Sequence, residues 1–198
     1  MRAGRTLPRS FYARDSRELA PDLLNKLLVS RPIDGPRVAA RIVEAEAYRG
    51  SDDPGSHAYR GMTPRTAVMF GSPGHLYVYF TYGMHWCANV VATKDGDAAA
   101  VLLRAAAPVE GIEVMRSRRP KARRDRDLLA GPARLCQAFA LTGADNGADL
   151  VRGTVRIVDD GVPPPTTPGV STRVGLAAGR GDDHPWRFFV PGDPNVSR

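Results

Sequence analysis

The stretch Leu76-Tyr-Val-Tyr-Phe-Thr-Tyr82-Gly-Met-His-Trp86-Cys-Ala-Asn-Val-Val91 is the strongest structural signal in the chain. Aromatic and β-branched residues dominate both halves, and such residues favour strands. Because Gly83 permits a tight turn, the stretch predicts a β-hairpin whose tip carries Tyr82, Met84 and His85. Burial is hard to arrange at such a tip, so an aromatic residue there is a candidate for insertion between the stacked bases of a nucleic acid.

The segments around the hairpin predict short strands and short helices. Strands are expected over residues 37–48, 100–105, 155–158 and 187–190, and helices over 21–28, 109–116 and 132–141. Thr63 and Pro64 suit the N-cap and first position of another short helix. Because strands outnumber helices and hairpins outnumber crossovers, we predict one compact α+β domain over residues 1–198. Its sheet is expected to be curved and mostly antiparallel, with flanking helices and a protruding hairpin. Residues 1–15 are expected to form a flexible N-terminal arm, and residues 160–183, rich in proline and glycine, a surface loop.

The charge of the chain favours a polyanionic partner. Lysine and arginine number 28 against 21 aspartate and glutamate, a net charge of +7 over 198 residues. Phosphates neutralised by basic side chains release condensed counterions, although many basic domains bind no nucleic acid. Seven of the eleven residues from Arg116 to Arg126 are basic. This basic run is either a solvated loop, which Pro120 favours, or a contact for phosphates.

Several classes of protein find no support in the sequence. No apolar run reaches the roughly 18–20 residues that span a bilayer, and no apolar segment follows the basic N-terminus. Cys87 and Cys136 form no disulfide framework, which favours a cytoplasmic location. His85 and Cys87 lack a second pair of ligands, and motifs for nucleotide loops or serine nucleophiles do not occur. We therefore expect neither a metal nor a cofactor.

The segment Glu44-Ala-Glu-Ala-Tyr48 places polar chemistry on a predicted strand. Side chains on a strand alternate faces, so Glu44, Glu46 and Tyr48 share one face. This face is either the exposed surface of an edge strand or a site in which a carboxylate acts as general base beside an aromatic ring. Paired carboxylates also typify sugar hydrolysis, so a carbohydrate glycosidase using Glu44 and Glu46 is one alternative. A nucleic-acid-binding module without catalysis is another, but it leaves Glu46 without a purpose.

Longer stretches agree with one family in wording and in order. They are Ile42-Val-Glu-Ala-Glu-Ala-Tyr-Arg-Gly50, Asp52-Asp-Pro-Gly-Ser-His57, Thr63-Pro-Arg65, residues 69–89, Val101-Leu-Leu-Arg-Ala105, residues 131–138, Arg173-Val-Gly175 and Trp186-Arg-Phe-Phe-Val190. The chain, from about residue 20 to its end, resembles the alkyladenine DNA glycosylase (3-methyladenine DNA glycosylase) family. Position 45 is alanine where relatives often have threonine, and Met62 interrupts a stretch that is often rich in arginine.

The resemblance implies a monofunctional enzyme of base-excision repair. Such an enzyme flips alkylated or deaminated purines (3-methyladenine, 7-methylguanine, hypoxanthine, ethenoadenine) out of duplex DNA. It then hydrolyses the N-glycosidic bond and leaves an abasic site, without a metal or cofactor. The implied partner is double-stranded DNA. We expect a monomer with no obligate protein partner and no membrane association, placed in the cytoplasm, at the nucleoid if the source is bacterial.

The resemblance also implies roles for particular residues. Glu46 matches the general base, and Arg104 and the backbone carbonyl of Val174 help to hold the attacking water. The flipped base is implied to lie among Tyr48, His57 and Tyr79, with Asn89 at the floor, where it disfavours a guanine-type amine. Tyr82 is the implied intercalating residue. The expected contacts to the DNA backbone are Arg65, Met84 and His85.

Overall fold

One nine-stranded sheet organises the protein, whose computed structural model describes residues 4–94 and 96–197. The strands are β1 (Arg5–Thr6), β2 (Leu27–Ser30), β3 (Val38–Tyr48), β4 (Leu76–Thr81), β5 (His85–Ala92), β6 (Ala99–Glu110), β7 (Val155–Asp159), β8 (Gly169–Ser171) and β9 (Arg187–Phe189). The helices are α1 (Arg9–Tyr12), α2 (Ser16–Leu23), α3 (Ile112–Arg118) and α4 (Pro132–Phe139), with short 3-10 helices at Gly50–Asp52, Ala67–Phe70, Asp125–Asp127 and Gly143–Asp145. Seven strands follow the order β1-β7-β2-β3-β6-β5-β4, β9 pairs with β3 and β8 with β9, and every pair is antiparallel. The predicted α+β class with a curled antiparallel sheet is confirmed.

The two faces of the sheet have different contents. Leu76 and Val78 of β4 belong to the main core, together with side chains of α2 and α4. Tyr77, between them, packs instead in a smaller cluster with Met69 and Ala58 from the segment that covers the other face. Alternation along β4 therefore separates the structural core from the face that carries the aromatic side chains.

The hairpin predicted over residues 76–91 is confirmed. Strands β4 and β5 pair continuously from Leu76 opposite Val90 to Thr81 opposite His85. Tyr82 and Gly83 turn the chain with φ values of +50° and +66°, and the Met84 N–H donates to the carbonyl of Thr81 at 3.1 Å. Positive φ costs a tyrosine more than a glycine, and the side chain of Tyr82 is left 81% exposed at the tip.

Strand β3 pairs irregularly with β6 at its centre. The register shifts on both sides of Glu44, so Val43 of β3 and Arg104 of β6 have no residue directly opposite. Bulges of this kind bend a strand and re-aim the side chains beside it. The Arg104 side chain, re-aimed in this way, reaches the carboxylate of Glu44.

The same irregularity changes which side chains of β3 face the main core. Ala40 and Ile42 face the core before the bulge, whereas Ala45 and Ala47 face it after the bulge. A shift of one residue exchanges the two faces of a strand. Both glutamates thereby lie opposite the core, and both are 0% exposed. The alternative of an exposed edge strand is wrong, because β3 runs between β2 and β6.

Several predicted boundaries differ from the structure. The helix expected over residues 21–28 is α2, which begins five residues earlier because the carboxylate of Asp15 accepts the Arg17 N–H. Residues 27–30 form β2 instead, held between β3 and β7. Thr63 caps no helix: its backbone and side chain form a turn with Thr66, and the helix that follows is a 3-10 helix. Helix α3 starts at Ile112 because β6 continues to Glu110.

Two segments expected to lack regular structure contribute strands. Within the predicted arm over residues 1–15, residues 1–3 lie outside the described part, whereas Arg5–Thr6 pairs with β7 and the Tyr12 ring is fully buried. These contacts differ from a flexible arm, because Leu7 and Tyr12 supply apolar anchors. Strand β8 lies within the expected loop over residues 160–183 and pairs with β9. In the described residues, no helix is long and apolar enough to cross a membrane.

Candidate active site

A cavity of about 290 Å³ opens on the face of the sheet opposite the main core, beside the hairpin. Small-molecule sites start at about 300 Å³, so the cavity suits one compact ligand. Its wall residues come from strands β3 to β6 and from two loops, around residues 55–57 and 174–176. We call it the aromatic cavity, because four tyrosines and one histidine line it: Tyr48, Tyr77, Tyr79, Tyr82 and His57.

Glu46 lies just behind the wall of the aromatic cavity. Its carboxylate accepts the Val174 N–H at 2.8 Å and the Tyr48 hydroxyl at 2.9 Å, and the Arg104 guanidinium lies 3.4 Å away. These three neighbours line the cavity. Burial raises the pKa of Glu46 above its ordinary value, and the three neighbours oppose that rise. The result is a carboxylate beside the cavity whose proton affinity exceeds that of an exposed glutamate.

Glu44 has a different set of partners. Its carboxylate accepts from Arg104 Nε at 2.9 Å, from Arg187 Nε at 2.6 Å, and from the Ser197 N–H and hydroxyl at 2.6 and 2.9 Å. Although burial opposes it, these donors hold the pKa of Glu44 below its ordinary value. A carboxylate with four donors is a poor proton carrier, which disfavours the alternative of a paired-carboxylate carbohydrate glycosidase.

The walls of the aromatic cavity pack edge to face. The His57 ring lies 4.5 Å from the Tyr79 ring at 81° between planes, and its Nδ1 is 3.1 Å from the Tyr77 hydroxyl. Desolvation, and then the charge of Arg65, lowers the pKa of His57 to about 4, so this imidazole is neutral at pH 7. Burial raises the pKa of Tyr48 and that of Tyr79, which stay protonated. The aromatic part of the wall is therefore flat and uncharged, as a stacked planar ligand requires.

Asn89 lies on β5 at the buried end of the cavity. Its amide nitrogen donates to the carbonyl of Tyr77 at 3.1 Å, which holds the side chain between two strands. The cavity wall there also includes Cys87 and Leu102. One amide donor of Asn89 is already engaged, and its remaining polar atoms face a buried environment. A polar group of a ligand that found no hydrogen-bond partner there would weaken the binding of that ligand.

A buried ion pair joins three segments of the cavity. Arg173 donates to both carboxylate oxygens of Asp53, at 2.6 and 2.8 Å, and both side chains are 0% exposed. It also donates to the carbonyls of Ala47 and Gly181, at 3.0 Å each. The guanidinium lies 4.6 Å from the centre of the Tyr48 ring. This pair ties the loop that carries His57 and the loop that carries Val174 to the end of β3.

The predicted DNA-contact residues occupy two places. Tyr82 lines the rim of the aromatic cavity, whereas Met84 and His85 line a separate groove between the hairpin and α4. Arg65 is exposed, with its guanidinium 5.4 Å from the centre of the Tyr79 ring. The structure thus brings Glu46, Arg104, Val174 and the predicted wall residues together at one cavity, with the hairpin tip at its edge. In the described part of the chain, no cluster of histidine, cysteine or carboxylate side chains is arranged to hold a metal ion.

A comparison with models of protein families finds a match over most of the chain. The model of the methylpurine-DNA glycosylase family matches residues 10–194. The chain belongs to this family. It is therefore a DNA glycosylase, an enzyme of base-excision repair that acts on N-glycosyl bonds, and the aromatic cavity is its candidate active site.

Relatives of this methylpurine-DNA glycosylase match over nearly their whole lengths. A protein of Burkholderia orbicola is 53% identical over 196 residues, which are 98% of this chain and 92% of the relative. One of Streptomyces avermitilis is 48% identical over 194 residues (96% and 90%), and one of Methanocella arvoryzae is 49% identical over 193 residues (97% and 96%). Each relative carries the provisional name 3-methyladenine DNA glycosylase.

Sequence reasoning missed four residues of this methylpurine-DNA glycosylase that hold the site together. They are Asp53, Arg173, Arg187 and Ser197. Asp53 and Arg173 are 120 positions apart, and no local pattern pairs them. The one available signal is position: Asp53 lies four residues before His57, and Arg173 directly precedes Val174.

Proposed function

We propose that this methylpurine-DNA glycosylase extrudes an alkylated or deaminated purine from duplex DNA into the aromatic cavity and releases it with water activated by Glu46. The observation that carries the proposal is a buried carboxylate of raised pKa directly behind a cavity whose aromatic walls are flat and uncharged. Planar walls bind a purine by stacking. A proton acceptor works best with a pKa closer to neutrality than that of an exposed glutamate.

The chemistry needs one proton acceptor and one anion. Water attacks the sugar carbon C1′ and loses a proton to Glu46, while the N-glycosidic bond breaks and its electron pair leaves with the base. The negative charge of Glu46 also stabilises the oxocarbenium-like sugar. A purine alkylated at N3 or N7 is cationic and leaves as a neutral base. Neutral bases such as hypoxanthine need an added proton, for which the cavity wall offers no strong acid, so we expect slower release.

The other residues bind and position. We infer that Arg104 and the backbone carbonyl of Val174 hold the water, since both groups belong to residues that surround the Glu46 carboxylate. Tyr48, His57 and Tyr79 would enclose the base.

Outside the cavity, we infer contacts between exposed side chains and the DNA. The exposed Tyr82 ring would fill the gap that the extruded base leaves in the stack. Contacts to the DNA backbone would come from Arg65, Met84 and His85. The protein would act as a monomer in the cytoplasm, without a metal or cofactor.

The test is release of single lesions. Duplex oligonucleotides that hold one 7-methylguanine, ethenoadenine or hypoxanthine are incubated with the protein, and alkali then cleaves the abasic sites. Glu46→Gln keeps the shape of the side chain but cannot accept a proton, so we expect single-turnover rates to fall about 10²–10⁴-fold.

The matched control is Glu113→Gln, since Glu113 is an exposed acid on α3 that does not line the cavity, and its rate should equal that of the native protein. Release of no lesion by the native protein would refute the function. Full activity of Glu46→Gln would refute the mechanism.

A further inference from the structure

A second cavity, of about 360 Å³, adjoins the aromatic cavity. Among the described residues, four arginines line it (Arg104, Arg124, Arg126 and Arg134), and Asp127 is the one acidic residue of that described lining. We call it the arginine cavity. The two cavities share Arg104 and Pro132 in their walls, so they lie side by side.

The positive charge of the arginine cavity is only partly compensated. Arg124 donates to Asp127 at 3.0 and 3.2 Å, and Arg104 lies between the two buried glutamates of β3. Arg134 donates to the carbonyl of Ala130 at 3.2 Å, and neither Arg134 nor Arg126 forms an ion pair with a described residue. Two guanidinium charges are thus available to an anion.

The first turn of α4 forms part of the same cavity. Its N-cap is Gly131, so no side chain caps the helix, and Pro132 is the first helical residue. Uncapped N–H groups at a helix start favour an anion. Pro132 also lines the aromatic cavity, and Ala133 also lines the groove that carries Met84 and His85. The aromatic cavity, the arginine cavity and the groove that carries Met84 and His85 (the hairpin groove) therefore meet at this turn.

The first three arginines of the basic run have structural partners. Arg116 pairs with Asp125 at 2.5 Å, Arg118 donates to the carbonyl of Ala138 at 2.9 Å, and Arg119 donates to the Gln137 side chain at 2.6 Å. These contacts join α3 and the following loop to α4. The run is thus divided: its first half holds helices together, and its end, at Arg124 and Arg126, lines the cavity.

We propose that the arginine cavity binds one backbone phosphate of the DNA strand whose base occupies the aromatic cavity. This inference rests on the proposed function for the position of that strand. An extruded nucleotide remains joined to its neighbours through phosphates, and a strand that passes between the aromatic cavity and the hairpin groove crosses the first turn of α4. Arg126 and Arg134 supply the charge there, and their contact with the phosphate releases counterions that were condensed on the DNA.

The primary test compares two pairs of substitutions. Arg126→Gln/Arg134→Gln should bind a duplex with a tetrahydrofuran abasic-site analogue about tenfold more weakly. For this variant, the slope of the logarithm of the affinity against the logarithm of the salt concentration should decrease in magnitude by about 1. Arg126→Lys/Arg134→Lys should keep most of the slope, which excludes misfolding as the cause. The matched control is Arg152→Gln/Arg156→Gln. Both arginines are exposed and neither lines the arginine cavity, and the Arg156 side chain donates only to the backbone carbonyls of Arg152 and Gly153, so their loss should change neither quantity.

A methylphosphonate scan then identifies the phosphate. Neutralising one particular phosphate next to the abasic analogue should weaken binding to the native protein but have little effect on the Gln/Gln variant. Equal losses for both proteins at every position would overturn the proposal, as would unchanged affinity of the Gln/Gln variant. A different outcome is that inorganic phosphate raises the Tm of the native protein and not that of the Gln/Gln variant, while both proteins bind DNA equally well. In that outcome the cavity binds free anions and the DNA assignment is wrong. A native protein that binds this duplex but releases no 7-methylguanine would refute the proposed function, and the assignment of the phosphate to that strand would fail with it. Normal release of 7-methylguanine together with unchanged affinity of the Gln/Gln variant would refute this inference alone.

Discussion

Glu44 and Glu46 lie two residues apart on one strand face, both without solvent exposure, and their environments nevertheless push their pKa values in opposite directions. Burial penalises the charged form of both. On the Glu44 side, the two arginines Arg104 and Arg187 and two donors of Ser197 outweigh burial. On the Glu46 side, one guanidinium at 3.4 Å, one N–H and one hydroxyl do not. The donors around Glu44 outweigh the penalty of burial and those around Glu46 do not, and this balance decides which carboxylate is available as a base.

The two regions also differ in what they contact. The Glu44 region joins β3, β6, β9 and the C-terminal segment at Ser197, and its carboxylate is saturated by protein donors. The Glu46 region borders the aromatic cavity, and its donors are wall residues. We infer that Glu44 positions Arg104 beside Glu46. One carboxylate then holds the arginine in place, and the other activates the water.

The largest expected effect is on stability, from Glu44→Gln. Removal of this charge leaves the buried Arg104 and the partly buried Arg187 beside an uncharged amide, which should lower the free energy of unfolding by about 3–5 kcal/mol. Glu46→Gln, the matched variant, should change stability far less, because only one cation is near it. Thermal and urea unfolding measure both. A Glu44→Gln protein of native stability that releases no base would place Glu44 in the reaction and revive the paired-carboxylate alternative.

A smaller effect should follow pH. The folded pKa of Glu44 lies below 4.5, so its contribution to stability is present above pH 4.5 and is lost as pH falls through the folded value. The folded pKa of Glu46 lies above 4.5, so its contribution is present below pH 4.5 and is lost as pH rises through the folded value. Native-minus-variant unfolding energies, measured for Glu44→Gln and Glu46→Gln across this range, should slope in opposite directions.

The release rate should depend on pH through Glu46 alone. Because the base must be ionised, kcat/KM on 7-methylguanine duplexes should fall about tenfold per pH unit below the raised pKa of Glu46. Glu46→Gln should lose this acid limb, and Glu44→Gln should keep it. An acid limb that survives in Glu46→Gln would assign the titration to another group.

The smallest effect is expected from Ser197→Ala. The backbone N–H still donates to Glu44, and only the hydroxyl contacts to Glu44 and Arg104 are lost, so stability should fall by about 1 kcal/mol. Release rates should stay within about twofold if the remaining donors hold Arg104. Ser117→Ala is the control, since that hydroxyl is exposed on α3 and bonds only a backbone carbonyl. A loss of activity as large as that of Glu46→Gln would mean that the C-terminal segment takes part in the chemistry.

Local patterns in the sequence determined much of the fold. The hairpin over residues 76–91 follows from strand-forming residues on both sides of Gly83, and strand β3 from the alternation before Tyr48. The helix expected over residues 21–28 was wrong in its bounds because the cap at Asp15 and the pairing of residues 27–30 both lie outside that pattern. Short apolar segments suit either a helix or a strand, and tertiary pairing chooses between them.

By itself, the sequence determined the hairpin with its aromatic tip, the basic charge of the chain and the presence of Glu44, Glu46 and Tyr48 on one strand face, because these depend on neighbouring residues and a fixed backbone period. Only the tertiary structure decided which glutamate is free to act. The bulge that aims Arg104, the four donors around Glu44 and the pairing of Arg173 with Asp53 each join residues about 60 or more positions apart. A pKa is set by those distant neighbours in space, and spacing along the chain carries no record of them.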